Sequence, residues 1–496
     1  MYTKKNYIKI KVTIQIVLGL MLLVPITLKA QKPNIVYILT DQWKASAFGY
    51  AGDPNVRTPN IDQFAKESVN FANAVTVNPV CTPHRAALQT GRFPTSTGMF
   101  LNDLYLPEEE LCMAEIFKSE GYNTAYLGKW HLDGHGRFNN VIPERRQGYD
   151  YWKALECSHD YNKMPYYENT SPEMKYWNGY SPFAISTNAQ NYLTEHAVKE
   201  EPFLLFISIA TPHFPHGSAP QEYKDLYVES EIKLPPNIPE EIQQRARKEL
   251  VGYYAHCTAT DQVVGELIGK IRELGIWENT IVVFTTDHGE MMGAQGIRPM
   301  AKQVPWDESV RVPFLIKQSQ TTQKGSIVNA PLTTPDILPS LLGLANIKIP
   351  DSVEGEDLSA LIKSPDPEKD RAALIMNVCP FAGEHIYDEY RGIRTKRYSY
   401  VRTLNGVSMM FDHIKDPYQM NNLMGNKEYS QVEEYLEKKL QNELTKIGDK
   451  DFKPRQYYLD KWNLSLNNDN KTAVDYRRFM NGKGLVQSPK MDDEAK

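Results

Sequence analysis

Apolar residues occur either in short continuous runs, typical of buried strands, or at helical spacing. The two patterns alternate over roughly the first two thirds of the sequence. Short runs rich in β-branched and aromatic side chains predict buried strands at Asn34 to Leu39, Thr124 to Leu127, Phe203 to Ile209 and Ile281 to Thr285. Helical spacing predicts helices at Pro59 to Phe71, Leu111 to Glu120 and Gln243 to Leu274, the last capped by Gly275. This alternation predicts an α/β fold with a large, mostly parallel sheet flanked by helices.

The pattern is interrupted in the middle of the chain and changes toward its end. The segment from Tyr149 to Tyr192 is irregular and crowded with Tyr and Trp, so we expect an elaborated loop region over the sheet. Beyond a charged linker at Ser364 to Arg371, short strands near Ala373 to Val378 and Gly392 to Arg402 predict a small α+β domain built on a short antiparallel sheet. From Leu464 the chain is polar and lacks periodicity, and we expect a loosely held tail.

The N-terminal segment has the pattern of a signal peptide. Lysines precede an apolar run from Ile14 to Leu28, which ends at Ala30. Gln15 and Pro25 interrupt the run, which falls short of the ~20 residues that span a bilayer, so a retained anchor is disfavoured. We therefore expect a periplasmic or secreted protein with no membrane association after cleavage. The expected segments are a signal peptide at 1–30, a large main domain at 31–365, a small C-terminal domain at 366–463 and a polar tail at 464–496.

Composition limits the possible partners. The 496 residues include 56 Lys and Arg against 61 Asp and Glu, a net charge of -5. This composition provides no excess of positive charge for binding nucleic acid. The 5 cysteines are odd in number and lie far apart, at positions 81, 112, 157, 257 and 379. In an oxidising compartment at least one of them is left without a disulfide partner and is available for another task.

Polar residues follow each predicted strand at its C-terminal end. They are Asp41 and Gln42, Lys129 and His131, His213, and Asp287 and His288. Ligands bind at the carboxyl ends of strands in an open parallel sheet, so we expect these side chains to meet at one edge. Taken singly, an Asp after a strand is more often a helix cap or a turn residue. Taken together, Asp41, Gln42, Asp287 and His288 suit Ca²⁺, or Mg²⁺, better than zinc.

The sharpest local signal is the stretch 79–92, PVCTPHRAALQTGR. It predicts a short helix in which Pro83 occupies the first turn and Gly91 closes the last. Cys81 then lies at the helix N-terminus, where the helix dipole stabilises an anionic nucleophile, and Arg85 lies on the same face. The alternative is a buried, inert cysteine beside a structural arginine.

The stretch Cys81 to Arg85, followed by Leu88, Thr90 and Gly91, resembles the maturation signature of the type I sulfatases. The family's second signature is similar to Gly121 to His131. Further similar stretches are Asp41, Thr211 to Pro215, Asp287 to Glu290, Lys302 to Pro313, Tyr390 to Tyr400 and Asp412 to Leu423. The resemblance covers nearly the whole mature chain and implies an alkaline-phosphatase-like fold, with a large mixed, mostly parallel sheet.

Three positions depart from the family pattern. His84 stands where a small hydroxyl residue is usual, Gln42 replaces an Asp, and His288 replaces a frequent Asn. The last two lower the negative charge around a cation, which bears on its coordination number.

The resemblance implies that Cys81 is oxidised to formylglycine by a sulfatase-maturating, formylglycine-generating enzyme. The hydrated aldehyde would be held by Arg85 and a divalent cation, and one of its hydroxyls would attack the sulfur of a sulfate ester. The implied residues around the cation are Asp41, Gln42, Cys81, Asp287 and His288.

The resemblance also implies roles for four further residues. Lys129 and Lys302 would stabilise negative charge on the sulfate. His213 would protonate the departing alcohol as general acid, and His131 would remove the proton whose loss releases sulfate. Without the motif context, the ordinary interpretations are solvated surface lysines and turn histidines.

A sulfated sugar is the expected substrate, because the chain is exported and carries an aromatic-rich insertion. The candidate sugar contacts are His159, Asp160, Tyr161, Trp177 and His216. Ordinary loop packing is an equally good interpretation of each. Two other functions stay open: a phosphonate or phosphate ester hydrolase of the same superfamily, and a non-catalytic glycan-binding protein on a sulfatase scaffold.

Overall fold

The computed structural model describes residues 32–321, 323–381, 387–404, 407–466 and 473–475. The predicted signal peptide and most of the predicted polar tail lie outside these ranges. Within them, no helix is both long and apolar enough to cross a lipid bilayer.

The described residues form short strands and helices of very different lengths. In chain order the strands are β1 (Asn34–Asp41), β2 (Val69–Phe71), β3 (Ala74–Val75), β4 (Asn123–Lys129), β5 (Tyr151–Leu155), β6 (Pro165–Glu168), β7 (Lys175–Tyr176), β8 (Phe203–Pro212), β9 (Thr280–Thr286), β10 (Phe314–Lys317), β11 (Ile327–Val328), β12 (Leu332–Thr333), β13 (Ala373–Asn377), β14 (Tyr390–Arg394), β15 (Tyr398–Thr403), β16 (Met409–Asp412), β17 (Leu464–Leu466) and β18 (Ala473–Asp475). The α-helices are α1 (Pro59–Ala65), α2 (Cys81–Thr90), α3 (Pro94–Thr97), α4 (Met113–Ser119), α5 (Ser181–His196), α6 (Gln221–Lys224), α7 (Glu240–Glu273), α8 (Asp307–Val310), α9 (Ile337–Leu344), α10 (Ser359–Lys363), α11 (Ser430–Lys446) and α12 (Arg455–Lys461).

A 10-stranded sheet has the order β11-β2-β10-β9-β1-β8-β4-β5-β6-β7. The five adjacent strands at its centre are parallel: β9, β1, β8, β4 and β5. Antiparallel pairs flank them on both sides, β10 with β9 and β5 with β6. The expected mixed, mostly parallel sheet is therefore confirmed. Strands β1, β8 and β9 are buried along their whole length, as parallel strands are when helices cover both faces of a sheet.

Alternate residues of the central strands pack on opposite faces of the sheet. Tyr37 and Leu39 of β1 belong to a core that includes α2 and α9, whereas Val36 and Ile38 belong to a second core that includes α5 and α7. Because β1, β4, β8 and β9 are parallel, their carboxyl ends lie at one edge of the sheet.

Strands β13 to β16 form a separate antiparallel sheet, as expected. Helix α11 covers it through Leu436, Leu440 and Leu444, which recur every four residues and so share one helix face. The single strand predicted at Gly392 to Arg402 is wrong. The chain turns back within it, where the Thr395 N–H donates to the Tyr398 carbonyl, so the segment belongs to two paired strands.

Two further expectations are wrong. The helix predicted from Pro59 to Phe71 ends at Ala65, and Val69–Phe71 instead pairs with β10. The segment from Tyr149 to Tyr192 contains β5, β6, β7 and most of α5 in place of an irregular region. In both cases β-branched or aromatic residues gain free energy by pairing with a distant strand, and the local spacing of apolar residues does not reveal that partner.

Candidate active site

The carboxyl ends of four parallel strands meet the N-terminus of helix α2. Asp41 ends β1, Lys129 ends β4, His213 follows β8, and Asp287 follows β9. Cys81 opens α2, which closes on Gly91 at a φ of 65° in the left-handed region, as the sequence predicts. The structure thus brings together side chains that are widely separated in the sequence.

Asp41, Cys81, Asp287 and His288 form a buried cluster that could hold a metal ion. One potential ligand atom from each residue lies within 4.8 Å of the other three. Cys81 Sγ is 3.3 Å from His288 Nε2 and 3.9 Å from Asp41 Oδ1. Buried carboxylates normally require a paired cation or a metal, so this cluster needs positive charge nearby.

Positive side chains supply part of that charge. Arg85 Nη2 lies 3.1 Å from Asp41 Oδ2 and 3.0 Å from Asp287 Oδ2, and Lys129 Nζ lies 2.6 Å from Asp41 Oδ2. Burial by itself raises the pKa of Asp41, but Lys129, His213 and Arg85 outweigh it and hold that pKa well below its usual value. Burial and the neighbouring Asp41 raise the pKa of Asp287. Positive neighbours thus favour the ionised form of Asp41, whereas the charge of Asp41 disfavours the ionised form of Asp287.

Lys302 and Gln42 complete one side of the cluster. Lys302 Nζ donates to Gln42 Oε1 over 3.1 Å and lies 3.5 Å from Cys81 Sγ. The Gln42 amide is oriented by Glu290, whose Oε2 accepts from Gln42 Nε2 at 2.5 Å, and this leaves the amide oxygen facing the cluster. The Gln42 backbone N–H also donates to Asp287 Oδ1 over 3.1 Å.

The thiol of Cys81 is held in an unusually charged environment. Burial and Asp41 raise its pKa, but Lys129, Lys302 and His288 more than compensate and bring that pKa well below its usual value. The positive end of the α2 dipole acts in the same direction. The side chain at position 81 therefore sits where a negatively charged nucleophile is stabilised.

His213 lies beside Lys302 with a defined orientation. Its Nδ1 donates to the Phe214 carbonyl over 2.8 Å, and its Nε2 lies 3.4 Å from Lys302 Nζ. Burial and the positive charge of Lys302 lower the pKa of His213 well below its usual value. The ring of His159 stacks on that of His213 at a centroid distance of 4.6 Å.

His131 is paired with an acidic residue that the sequence analysis did not identify. Its Nε2 lies 2.9 Å from Asp103 Oδ1. Burial lowers the pKa of His131, but Cys157, Asp103 and Cys81 together outweigh that effect and raise it to about 9.

Comparison with known proteins assigns the fold. The sulfatase family model matches residues 33–347, and a model of the C-terminal part of N-sulphoglucosamine sulphohydrolase matches residues 298–446. The chain belongs to the sulfatase family. Its enzymatic activity is the hydrolysis of sulfate esters.

The sulfatase is similar to other bacterial proteins over most of its length. It is 64% identical over 459 residues to an ulvan-active sulfatase of Formosa agariphila, covering 92% of this chain and 89% of that one. It is 30% identical over 490 residues to an endo-4-O-sulfatase of Bacteroides thetaiotaomicron, covering 85% and 93% of the two chains. The crystal structure of yidJ from Bacteroides fragilis matches with a TM-score of 0.78 and 29% identity, covering 88% and 99% of the two chains.

The residues predicted to contact sugar occupy different environments in the sulfatase. They are His159, Asp160, Tyr161, Trp177 and His216. His159 is partly exposed beside the site and Asp160 is exposed. These two have surface available for a bound sugar.

The other three are buried and have partners within the protein. Tyr161 donates its hydroxyl to the His213 carbonyl over 2.9 Å, and so supports the turn that carries His213. Trp177 stacks on Tyr166 at 4.0 Å, and His216 Nδ1 is 2.9 Å from Glu249 Oε2.

Three acidic residues that organise the site received no role from the sequence: Asp103, Glu156 and Glu290, the last of which ends the family-like stretch Asp287 to Glu290. Glu156 accepts backbone N–H groups from Leu132, Asp133 and Gly134, directly after His131. Burial and Asp133 raise the pKa of Glu156 to about 8. Because Glu156 directly follows β5, the strand-end pattern would have found it had that strand been predicted.

Proposed function

We propose that this sulfatase is an exported enzyme that removes sulfate from a sulfated glycan of the ulvan class. The observation that carries the substrate class is the similarity to the ulvan-active sulfatase, which extends over 92% of this chain. The signal-peptide pattern at 1–30 supports export to the periplasm or beyond the cell. We keep the proposed domain boundaries 31–365 and 366–463, which the presence of two separate sheets, one before and one after residue 365, supports.

We propose Ca²⁺ as the cation, with Mg²⁺ as the alternative, held by Asp41, Asp287, His288 and the side chain at position 81. The fit rests on the donor set, because these four buried residues each offer a ligand atom within 4.8 Å of the others and a divalent ion would favour the ionised form of both carboxylates. The Gln42 amide oxygen accepts from Lys302 Nζ over 3.1 Å and is the proposed further hard ligand through its second lone pair. Bound there, the cation would supply a Lewis acid for the sulfate oxygens.

We further propose that a sulfatase-maturating enzyme converts Cys81 to formylglycine. The position of Cys81 as the first residue of α2, inside the cluster and beside Lys302, supports this assignment. Formylglycine would supply a hydrated aldehyde as the nucleophile. Arg85 holds the two carboxylates through Nη2 and is itself fixed through Nη1 by the Lys129 carbonyl and Ser208.

The remaining proposed roles follow from orientation. Lys129 and Lys302 present fixed positive charge where negative charge grows on the sulfate group. His213 is the proposed general acid: the Phe214 carbonyl occupies its Nδ1, so Nε2 is the atom that serves the departing alcohol. A sulfate ester beside this ring would bring negative charge that offsets the effect of Lys302 and raises the His213 pKa. His131 is the proposed base, and His159 and Asp160 are the proposed sugar contacts.

The substrate proposal is tested with ulvan oligosaccharides and with a panel of sulfated mono- and disaccharides that differ only in sulfate position. We expect sulfate release from ulvan fragments and from one position in the panel. The Cys81→Ala protein is the matched inactive control. Release of phosphate from aryl phosphates at a rate equal to sulfate release from aryl sulfates would favour the phosphoester alternative.

A further inference from the structure

Asp103 is held from two sides, by His131 and by Arg137. Its Oδ1 lies 2.9 Å from His131 Nε2. Arg137 donates two hydrogen bonds to the same carboxylate, from Nε to Oδ1 at 3.0 Å and from Nη2 to Oδ2 at 2.9 Å. A two-point arginine contact of this kind fixes the orientation of a carboxylate as well as its position.

The opposite side of the His131 ring faces the reacting residue. His131 is buried, and its Nδ1 has no hydrogen-bond partner in the described part of the chain. Since Nε2 is taken by Asp103, Nδ1 is the ring atom left for the Cys81 side chain, which is one of the groups that raise the His131 pKa. Nδ1 is therefore the ring nitrogen that can exchange a proton with the group at position 81.

The backbone around this pair is also constrained. Asp103 has a φ of 59° and His131 a φ of 60°, both in the left-handed region that residues other than glycine rarely adopt. Thr82, the neighbour of Cys81, ties the two together: its Oγ1 donates to the His131 carbonyl over 2.9 Å and accepts the Asp103 N–H over 3.3 Å. Hydrogen bonds of Thr82 thus connect the start of α2 with the turns that carry Asp103 and His131.

We propose that Asp103, clamped by Arg137, is the positioning residue that keeps the His131 proton on Nε2 and the free electron pair on Nδ1, facing position 81. The inference rests on the proposed role of His131 as base. When His131 takes the proton from the free hydroxyl of sulfated formylglycine at position 81, the O–H electron pair would form the aldehyde C=O. The C–O bond to the sulfate group would break, sulfate would leave, and the His131 ring would become an imidazolium ion. Asp103 stays ionised and stabilises that ion, as the acidic partner of a catalytic histidine does elsewhere.

The direct test is Asp103→Gly, because glycine adopts a φ of 59° without strain and the change therefore removes only the carboxylate. We expect steady-state turnover of a nitrophenyl sulfate to fall by about 10- to 10²-fold. This is at or below the low end of the ~10²–10⁴-fold general-base contribution, because the base itself is retained. The first burst of nitrophenol should keep its rate, because the change acts on the later, sulfate-releasing half of the reaction. Equal slowing of the burst and of steady-state turnover would overturn the proposal.

The double variant Asp103→Gly/His131→Ala shows whether Asp103 acts through His131. We expect it to be no slower than His131→Ala alone, since the carboxylate has nothing left to orient. Independent, multiplicative losses would overturn the proposal. Normal turnover by His131→Ala would instead refute the proposed function of His131 itself, which separates the two failures.

Arg137→Ala gives a second route that does not touch the buried ring. Arg137 has a side chain 45% exposed, so its loss is compatible with folding, and we expect a smaller defect confined to the same half-reaction. Arg402→Ala is the matched control: its side chain is 44% exposed and pairs with Glu437 in the small domain, and we expect no kinetic change. A burst defect in Arg137→Ala would contradict the proposal.

A spectroscopic measurement needs no turnover. In the unmodified thiol protein with ¹⁵N-labelled histidine, at alkaline pH where the ring is neutral, we expect the wild-type His131 signals to report the Nε2–H tautomer. Asp103→Gly should shift them toward a mixture of tautomers. Unchanged signals in that variant would show that Asp103 does not select the tautomer.

Discussion

Cys81 is surrounded by more charge than a buried thiol usually meets. Two carboxylates, an imidazole and an ammonium group lie within hydrogen-bonding or ion-pair reach of its sulfur or of one another. Such surroundings suit a residue that becomes a charged oxygen nucleophile better than an inert cysteine. The predictions at this scale concern what happens at position 81 and which histidine serves which step.

The first prediction is that active protein carries formylglycine, or its hydrate, at position 81. Intact mass and peptide mapping of active preparations measure this directly. Cys81→Ala should abolish sulfate release while leaving the melting temperature close to that of the wild type, because Ala at the first residue of α2 keeps the helix. Activity from protein that contains only the unmodified thiol would contradict the assignment.

The second prediction separates His213 from His131. A general acid matters most when the departing alcohol is basic, so His213→Ala should lose roughly 10²-fold more activity on a sulfated sugar than on nitrophenyl sulfate. His131→Ala should slow both substrates toward one common rate and leave bound sulfate on the protein, visible by mass after rapid quenching. Equal losses on both substrates for His213→Ala would mean that the two roles are misassigned.

At the scale of elements, the site depends on how closely β4 and β8 approach. Gly128 precedes Lys129 at a φ of 101°, and a Cβ added there would lie 1.9 Å from the Ser208 carbonyl oxygen. Only glycine allows this approach, which also places the Ser208 hydroxyl 2.8 Å from Arg85 Nη1. The strand pairing and the position of Arg85 are therefore set together.

The third prediction follows from that contact. Gly128→Ala should lower the melting temperature and the activity together, because the new methyl group must displace backbone. Gly269→Ala on the exposed face of α7 is the matched control, since nothing lies within 4 Å of its added Cβ. Replacing glycine in a helix should stabilise by about 0.5–1 kcal/mol. Thermal unfolding of both variants measures the contrast, and a Gly128→Ala protein as stable as wild type would contradict it.

The fourth prediction concerns pH and His256 of α7. Its Nδ1 pairs with the Tyr180 hydroxyl at 2.5 Å, and burial, with His216 nearby, lowers its pKa to about 3. Unfolded, a histidine takes up a proton near pH ~6.5, so the folded protein should lose stability as pH falls from there toward about 3. At about pH 5 the loss from this residue is roughly 2 kcal/mol.

The measurement compares wild type with His256→Gln at about pH 7.5 and about pH 5. Glutamine keeps a polar group beside Tyr180 but does not titrate. We expect the melting temperature of the wild type to fall more across this interval than that of the variant. An equal fall in both proteins would show that His256 does not contribute to the pH dependence.

At the scale of the whole molecule, the proposed cation would link the site to global stability. A ligand that binds only the folded protein stabilises it, by about 2.7 kcal/mol at a hundred times its dissociation constant. The proposed ligands come from β1, α2 and the residues after β9. A common ion would add to the backbone pairing of β1 with β9 and to the ion pairs that Arg85 of α2 makes with Asp41 and Asp287.

The fifth prediction is that Ca²⁺ raises the melting temperature of chelator-treated protein and restores its activity. Asp287→Asn should abolish both responses, because it removes one of the few negative charges that face the ion. Asp150→Asn, at an exposed ion pair with Lys118, is the matched control and should respond like wild type. Full activity after metal removal, verified by elemental analysis, would contradict the site. A larger response to Mg²⁺ than to Ca²⁺ at equal concentration would change the proposed ion.

The sequence by itself determined the features that depend on neighbours along the chain. The apolar runs of β1, β4, β8 and β9 and the helix that starts at Cys81 are local patterns, and all of them appear in the structure. The parallel arrangement then placed Asp41 and Asp287 at one edge, because parallel strands share the direction of their carboxyl ends.

Only the tertiary structure decided the features that depend on distant partners. Asp103 meets His131 across 28 positions and Gln42 meets Glu290 across 248, and no periodicity encodes either pair. Val69–Phe71 became a strand because β10 offers it backbone partners, although its local spacing favours a helix. Tyr161 and Trp177 are buried for a similar reason. Aromatic side chains gain free energy when they pack against a surface that the fold provides, and the sequence alone does not show that surface.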